Sequence, residues 1–267
     1  MPEGSAELEK VVGYMKAHWP SLVREEWQVG VEEYPAIVAR AVAELMEGAS
    51  RGRQLIRVAG VSGSGKTTQI LPAVEAYCDK RDLSPVLVAA RVFVKYHPHY
   101  AEILDYYGEE NVRKMTDEFS TIMLFLVLSE LIRGGYDVIL DVTLLDPEME
   151  GILVKMLRMA RYEMMLLMVA VSPVVTEKFL AGRAWRHTAE TEREFVRATS
   201  RALEFYAKAL PEGRVVIWSV YDLLPVYDGE LSGCLEVFRE YSAREEMPAK
   251  DDEERKEAKI MYLTGSQ

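Results

Sequence analysis

The chain has 267 residues, which at about 150 residues per domain corresponds to one large domain or one domain with an extension. Hydrophobic residues make up 49% of it and charged residues 28%, so collagen-like, low-complexity and largely disordered proteins are excluded. The net charge of -11 repels a phosphate backbone, and nucleic-acid binding is therefore not expected without a local basic patch.

The sequence contains no sign of disulfides or of a membrane segment. Cys78 and Cys234 lie far apart and form no CxxC pair, so we expect two buried, reduced thiols. The longest apolar runs, residues 122–128 and 164–171, are shorter than the roughly 20 residues that a bilayer requires. The acidic N-terminus does not resemble a signal peptide. We expect a cytoplasmic protein, unless it leaves the cell by a route that the sequence does not show.

The hydrophobic pattern changes near residue 50. Residues 1–50 carry apolar side chains at helical spacing and predict an N-terminal helical extension. Short apolar runs then alternate with amphipathic stretches, which predicts a mostly parallel five-stranded sheet with helices on both faces. The predicted strands are residues 55–59, 86–90, 138–140, 165–171 and 215–218, and the predicted helices are residues 66–81, 116–133, 147–161, 174–185 and 192–210. We assign residues 51–242 to this α/β domain and residues 243–267 to a charged tail that is a solvated helix end or disordered.

Residues 60–67 read GVSGSGKT and match the pattern G-x-x-x-x-G-K-[ST]. A predicted strand leads into this loop and a predicted helix follows it, as a phosphate-binding loop requires. In such a loop the backbone N–H groups surround an anion at the positive end of the helix. The lysine is expected to bridge the β- and γ-phosphates of ATP or GTP, and the next hydroxyl to bind Mg²⁺. We therefore predict a P-loop NTPase fold whose nucleotide-binding residues are Gly60, Ser62, Gly63, Ser64, Gly65, Lys66, Thr67 and Thr68.

Further polar residues favour a phosphotransferase over other P-loop proteins. Asp141 ends the third predicted strand beside the loop, where it can hold Mg²⁺ or accept a proton from an acceptor hydroxyl. The alternative is an aspartate that caps the next turn. Arg183 and Arg186 lie three residues apart and Arg193 and Arg197 four apart, so each pair shares a helix face. The lids of small P-loop kinases carry such arginines to stabilise the transferring phosphoryl group. Nearby arginines alternate with glutamates, so a surface salt-bridge face is the competing interpretation.

With these residues in place, the chain resembles the zeta toxin family of P-loop kinases from about residue 53 to about residue 228. The resemblance rests on the phosphate loop, on His97-Pro98, on residues 116–120 and on the segment GGYDVILD that ends at Asp141. It implies a kinase that uses ATP or GTP and Mg²⁺ to phosphorylate a sugar hydroxyl of a UDP-activated amino sugar, and that an antitoxin partner blocks. By position it implies the site residues Lys66, Thr67, Asp141, Thr143 and Arg183, together with Arg186 or Arg193.

The acceptor side departs from the family pattern. Zeta toxins place an acid six residues before the His-Pro pair, where this chain has Arg91. The base is then Asp141, or Asp117 or Glu118 at the start of a helix, or the acceptor differs, or transfer is lost. We predict that Arg91, Glu118 and Thr143 contact the acceptor.

Three functions remain open on these grounds. The first is a small-molecule kinase, and the second is a degenerate kinase that binds nucleotide and acts as a regulatory or interaction protein. The third, a polynucleotide 5′-hydroxyl kinase, is disfavoured by the negative charge. The N-terminal helices either cap the domain or form a surface for an antitoxin-like partner.

Overall fold

A six-stranded sheet organises the chain in the computed structural model, which describes residues 5–18, 20–60, 64–142, 147–180, 189–245 and 252–265. The strands are β1 (Gln54–Ala59), β2 (Val86–Val88), β3 (Val138–Asp141), β4 (Glu163–Ala170), β5 (Arg214–Ser219) and β6 (Tyr227–Glu230). Their order across the sheet is β2-β3-β1-β4-β5-β6, and β1 to β5 are all parallel. The predicted α/β class and P-loop fold are confirmed.

The sixth strand is a correction to the five predicted. β6 pairs antiparallel with β5 at the edge of the sheet. Its residues, YDGE, include a glycine and two acids and alternate between half-buried and exposed positions. Such a short polar edge strand lacks the apolar run that predicts a buried parallel strand.

Helices cover both faces of the sheet. They are α1 (Ser5–His18), α2 (Tyr34–Leu45), α3 (Leu71–Lys80), α4 (Ala90–Phe93), α5 (Tyr100–Tyr107), α6 (Glu109–Met115), α7 (Asp117–Gly134), α8 (Pro147–Ala160), α9 (Pro173–Leu180), α10 (Ala189–Ala209), α11 (Cys234–Ser242) and α12 (Asp252–Thr264). A π-helical turn, Lys66–Ile70, leads into α3. None of the helices in the described part of the chain is long and apolar enough to cross a membrane.

The side chains of β1 separate the core into two parts. Leu55 belongs to a cluster that joins the sheet to α7, α8 and α10, whereas Ile56 belongs to a cluster with α3 and α9. Successive residues of a strand point to opposite faces, so a strand buried on both faces is apolar throughout. Cys78 and Cys234 are both buried free thiols, as predicted.

The N-terminal helices are part of the first cluster. Val12 and Met15 of α1 and Val38 and Ala41 of α2 are buried in the same core as α7. This burial is in line with helices that cap the domain.

The C-terminal tail differs from its prediction. Residues 252–264 form α12, which packs on α3 and on the turn after the phosphate loop. Lys259 is fully buried, and its Nζ donates a hydrogen bond to Gln69 Oε1 at 3.0 Å. Tyr262 packs edge-on against Trp218, with ring centroids 6.0 Å apart. The expectation of a solvated or disordered tail is therefore wrong for these residues, because long charged side chains cover apolar surface with their stems.

Candidate phosphate-binding and acceptor site

The loop after β1 has the backbone that its glycines require. Gly60 and Gly65 have φ angles of +143° and +89°, a region that side chains with a Cβ rarely adopt. A Cβ on Gly60 would lie 2.7 Å from Ser64 Oγ, and one on Gly65 would lie 3.0 Å from the Gln69 side chain. Glycine is needed at both positions. Ser62 and Gly63 lie outside the described residues.

Lys66 lies across this loop. Its Nζ donates a hydrogen bond to the carbonyl oxygen of Gly60 at 2.6 Å. Thr67 and Thr68 follow on the first turn and are exposed. Ser64 is buried, and its Oγ has no hydrogen-bond partner among the residues that the structure describes. An ammonium group and a buried hydroxyl within one glycine-bounded loop fit the phosphates of a nucleotide.

Asp141 lies next to the loop. It is the last residue of β3 and pairs in register with Val58 of β1, two residues before Gly60. The Arg91 guanidinium, from α4, forms an ion pair with the Asp141 carboxylate. The Asp141 side chain is 3% exposed and that of Arg91 is 32% exposed. The structure thus joins two predicted site residues that are fifty positions apart.

Glu118 has a partner in the N-terminal extension. Its side chain is buried at the start of α7, and Lys16 Nζ of α1 lies 3.8 Å from Glu118 Oε1. Burial, together with the charge of Glu118, raises the pKa of Tyr34 far above its ordinary value. Glu118 therefore links α7 to the N-terminal helices. Its predicted contact with the acceptor stays a prediction.

The other predicted residues are partly outside the described chain. Thr143, Arg183 and Arg186 lie in segments of which nothing is described. On α10, exposed Arg197 and Arg201 both pair with Glu194, at 3.5 Å and 2.9 Å. For these two arginines the surface salt-bridge interpretation holds.

The sequence analysis missed a buried polar network below the loop. Arg57 of β1 donates from Nη2 to Glu150 Oε1 at 2.8 Å and from Nη1 to the Tyr206 hydroxyl at 2.6 Å. Tyr206 donates to Glu150 Oε2 at 2.5 Å, and all three side chains are at most 1% exposed. Burial raises the pKa of Tyr206 far above its ordinary value. The network ties β1 to α8 and α10, and its sequence signal was an arginine within a buried strand.

His97, part of the pair that supports the family resemblance, is a buried neutral side chain. Its ring packs edge-on against Phe119 at 4.6 Å, and its Nδ1 accepts a hydrogen bond from the His99 backbone N–H at 3.2 Å. Burial, and secondarily the neighbouring His99, lowers the pKa of His97 to about 4.

The low pKa of His97 predicts a loss of stability in acid. Between pH 6.5 and about 4 the unfolded chain binds a proton on His97 that the folded chain does not, so the free energy of unfolding falls as the pH falls. We expect His97→Gln to reduce this loss by about 2–3 kcal/mol, measured by urea unfolding at pH 7 and pH 4. An unchanged pH dependence in His97→Gln would contradict the prediction.

The described residues offer a magnesium ion few protein ligands at this site. Among the described residues, no three His, Cys, Asp or Glu side chains lie close enough together to hold a metal ion. Mg²⁺ commonly takes one or two protein oxygens plus substrate phosphates and water. The exposed Thr67 hydroxyl and the Asp141 carboxylate fit that smaller protein contribution.

The strand, glycine-bounded loop and lysine define a P-loop protein of the α/β class. Within that class, the model of the family described as zeta toxin matches residues 43–218. The chain therefore belongs to the zeta toxin family, as the resemblance predicted.

Three proteins illustrate the similarity. Toxin PezT of Streptococcus pneumoniae serotype 4 is 26% identical over 143 residues, which cover 53% of this chain and 54% of PezT. The chain spans about half the length of this curated relative. A structure from the PezAT chromosomal toxin-antitoxin system of S. pneumoniae is 20% identical with a TM-score of 0.65, covering 90% of this chain and 100% of that one. A structure of AvrRxo1-ORF1:-ORF2 with ATP is 12% identical with a TM-score of 0.53, covering 88% and 84%. Both structures share the α/β fold of this chain.

Proposed function

We propose that the chain is a kinase that transfers the γ-phosphoryl group of ATP or GTP to a hydroxyl of a small molecule, with a UDP-amino sugar or another nucleotide-like compound as the acceptor. The observation that carries the proposal is the position of Asp141 beside the phosphate loop. Asp141 ends β3, and β3 pairs with β1, the strand that leads into the loop with Lys66. This arrangement supplies a proton acceptor and a phosphate site at the same edge of the sheet.

The proposed reaction uses each of these groups. Lys66 leaves the Gly60 carbonyl and binds the phosphates of the donor, and the loop amides surround them. The acceptor hydroxyl loses its proton to the Asp141 carboxylate while its oxygen bonds to the γ-phosphorus. The bond from the γ-phosphorus to the bridging oxygen breaks, and the nucleoside diphosphate leaves. Arg183 and Arg186 are the proposed lid arginines that stabilise the charge of the transferring group.

Magnesium belongs to the proposal as a resident ion. The Thr67 hydroxyl and the Asp141 carboxylate would hold Mg²⁺, which would neutralise phosphate charge when bound. A protein partner is also proposed, because a structurally similar protein comes from a toxin-antitoxin system.

One observation favours the second candidate, a degenerate kinase that binds nucleotide. The Arg91 guanidinium is ion-paired with the Asp141 carboxylate, which is the group that would accept the proton. A kinase whose base stays paired in this way would bind ATP without consuming it.

The two candidates differ in the consumption of nucleotide. We expect ADP to form in proportion to an added acceptor when the chain is incubated with Mg·ATP and a panel of nucleotide sugars, nucleosides and nucleotides. Mg·ATP should also raise the melting temperature. A raised melting temperature with no ADP formed from any acceptor would refute the kinase and support the degenerate one. No effect of Mg·ATP at all would contradict both.

A further inference from the structure

An open cavity of about 430 Å³ lies beside the ion pair of Arg91 and Asp141. Three different elements supply its basic groups, namely α4, the turn after it and α6. We call this cavity the basic groove, and its lining residues are Arg91, Val92, Val94, Lys95, Tyr100 and Arg113.

Of the three basic groups of the groove, Arg91 is ion-paired with Asp141, whereas Lys95 and Arg113 form no ion pair with the described residues. Among the described residues, no carboxylate lies within 4 Å of the Lys95 ammonium or the Arg113 guanidinium. Glu109 and Glu110 precede Arg113 on α6 and Asp117 follows at the start of α7, and none of these three acids forms an ion pair with Arg113 in the described part of the chain. The chain as a whole carries a net charge of -11, so three cations around one cavity are an exception to its composition. Cations gathered in this way repel one another unless an anion lies between them.

We propose that the basic groove binds a phosphate or diphosphate group of the acceptor, an inference that rests on the proposed function. Two guanidinium groups and an ammonium group can donate hydrogen bonds to several oxygens at once. A phosphate offers them more acceptor oxygens than a single carboxylate does. An acceptor anchored there by its phosphate brings a hydroxyl near Asp141, which adjoins the groove through Arg91.

Arg91 gives the groove a second role. Its guanidinium is shared between the groove and the Asp141 carboxylate. A phosphate in the groove competes with Asp141 for that guanidinium, so binding of the acceptor frees the carboxylate to take the hydroxyl proton. Arg91 thereby makes the base available only when an acceptor of the right charge is bound, and it selects phosphate-bearing acceptors.

The test measures the binding of inorganic phosphate to a variant whose phosphate loop has lost its lysine. In the Lys66→Ala background the loop lacks its ammonium, so calorimetric uptake of inorganic phosphate at constant ionic strength reports the groove. We expect the further change Lys95→Gln with Arg113→Gln to weaken this uptake at least tenfold. Both residues are exposed, so the fold should be retained, and melting temperatures check this.

A matched pair controls for the loss of two positive charges. Lys114→Gln with Lys155→Gln removes the same charge from exposed positions that do not line the groove, and it should leave phosphate uptake unchanged. Acetate should bind at least tenfold more weakly than phosphate. The proposal is overturned if the parent takes up no phosphate at tens of millimolar, if the groove variant binds as well as the control, or if acetate binds as tightly as phosphate.

The proposed function fails separately from the groove. If phosphate uptake depends on Lys95 and Arg113 but the chain forms no ADP, the result supports the groove and refutes the kinase. If ADP formation depends on the acceptor but no such phosphate uptake is found, the result supports the kinase and refutes the groove.

Discussion

Replacing Lys66 by alanine is expected to lower acceptor-dependent ADP formation by about 10²–10³-fold, the typical loss when one preorganised donor to a developing charge is removed. Lys66 lies across the phosphate loop on the Gly60 carbonyl, one strand from Asp141. In the proposed reaction its ammonium stabilises the negative charge that develops on the bridging oxygen. The rate is measured as ADP released at saturating Mg·ATP and acceptor.

Two variants make the Lys66 experiment specific. Lys66→Arg keeps the charge but replaces a compact ammonium with a planar fork, and it should recover only part of the rate. Lys155→Ala removes an exposed lysine of α8 and should have the parental rate. A Lys66→Ala protein that folds and forms ADP at the parental rate would show that the loop does not bind the donor as proposed.

Replacing Glu150 by alanine is expected to lower the free energy of unfolding by about 3–5 kcal/mol. Arg57 and Tyr206 would then keep a buried charge and a buried hydroxyl without the carboxylate that now binds both. The loss is measured by urea unfolding at pH 7. It should exceed the effect of any single exposed ion pair in the chain, because those remain solvated.

The design includes a rescue and a surface control. The triple change Arg57→Met, Glu150→Leu and Tyr206→Phe removes every polar group of the network and should recover most of the stability, since apolar side chains of similar volume replace buried ion pairs well. Glu240→Ala breaks an exposed pair with Arg244 at 2.7 Å and should cost less than about 1 kcal/mol. A Glu150→Ala loss no larger than that of Glu240→Ala would mean that water reaches the network.

The buried network of Arg57, Glu150 and Tyr206 also contributes to the position of the phosphate loop. Glu150 lies on α8 and Tyr206 on α10, while Arg57 lies three residues before Gly60. The network therefore holds two helices against the strand that leads into the phosphate loop. A partial loss of ADP formation in Glu150→Ala at temperatures where it stays folded would fit this positioning role.

The local parts of the fold could be predicted from the sequence because they depend on neighbouring residues. The phosphate loop needs glycines at Gly60 and Gly65, and its lysine follows at once. The buried parallel strands are recognisable because a strand covered on both faces is apolar at every position. Asp141 could be placed at the edge of the sheet for the same reason, since it ends such a strand.

Only the tertiary structure decided which distant groups meet. Arg91 and Asp141 are separated by fifty positions, and their pairing follows from the adjacency of β2, β3 and β1 in the sheet. The charged segment of residues 252–264 is a docked helix because Lys259 finds Gln69 beneath it, a partner 190 positions away. Local patterns record which face of an element is apolar, whereas the partner of a buried charge depends on the packing of the whole chain. The sequence by itself therefore determined the phosphate loop and the class of fold, and the packing determined that Arg91 meets Asp141 and that residues 252–264 dock as a helix.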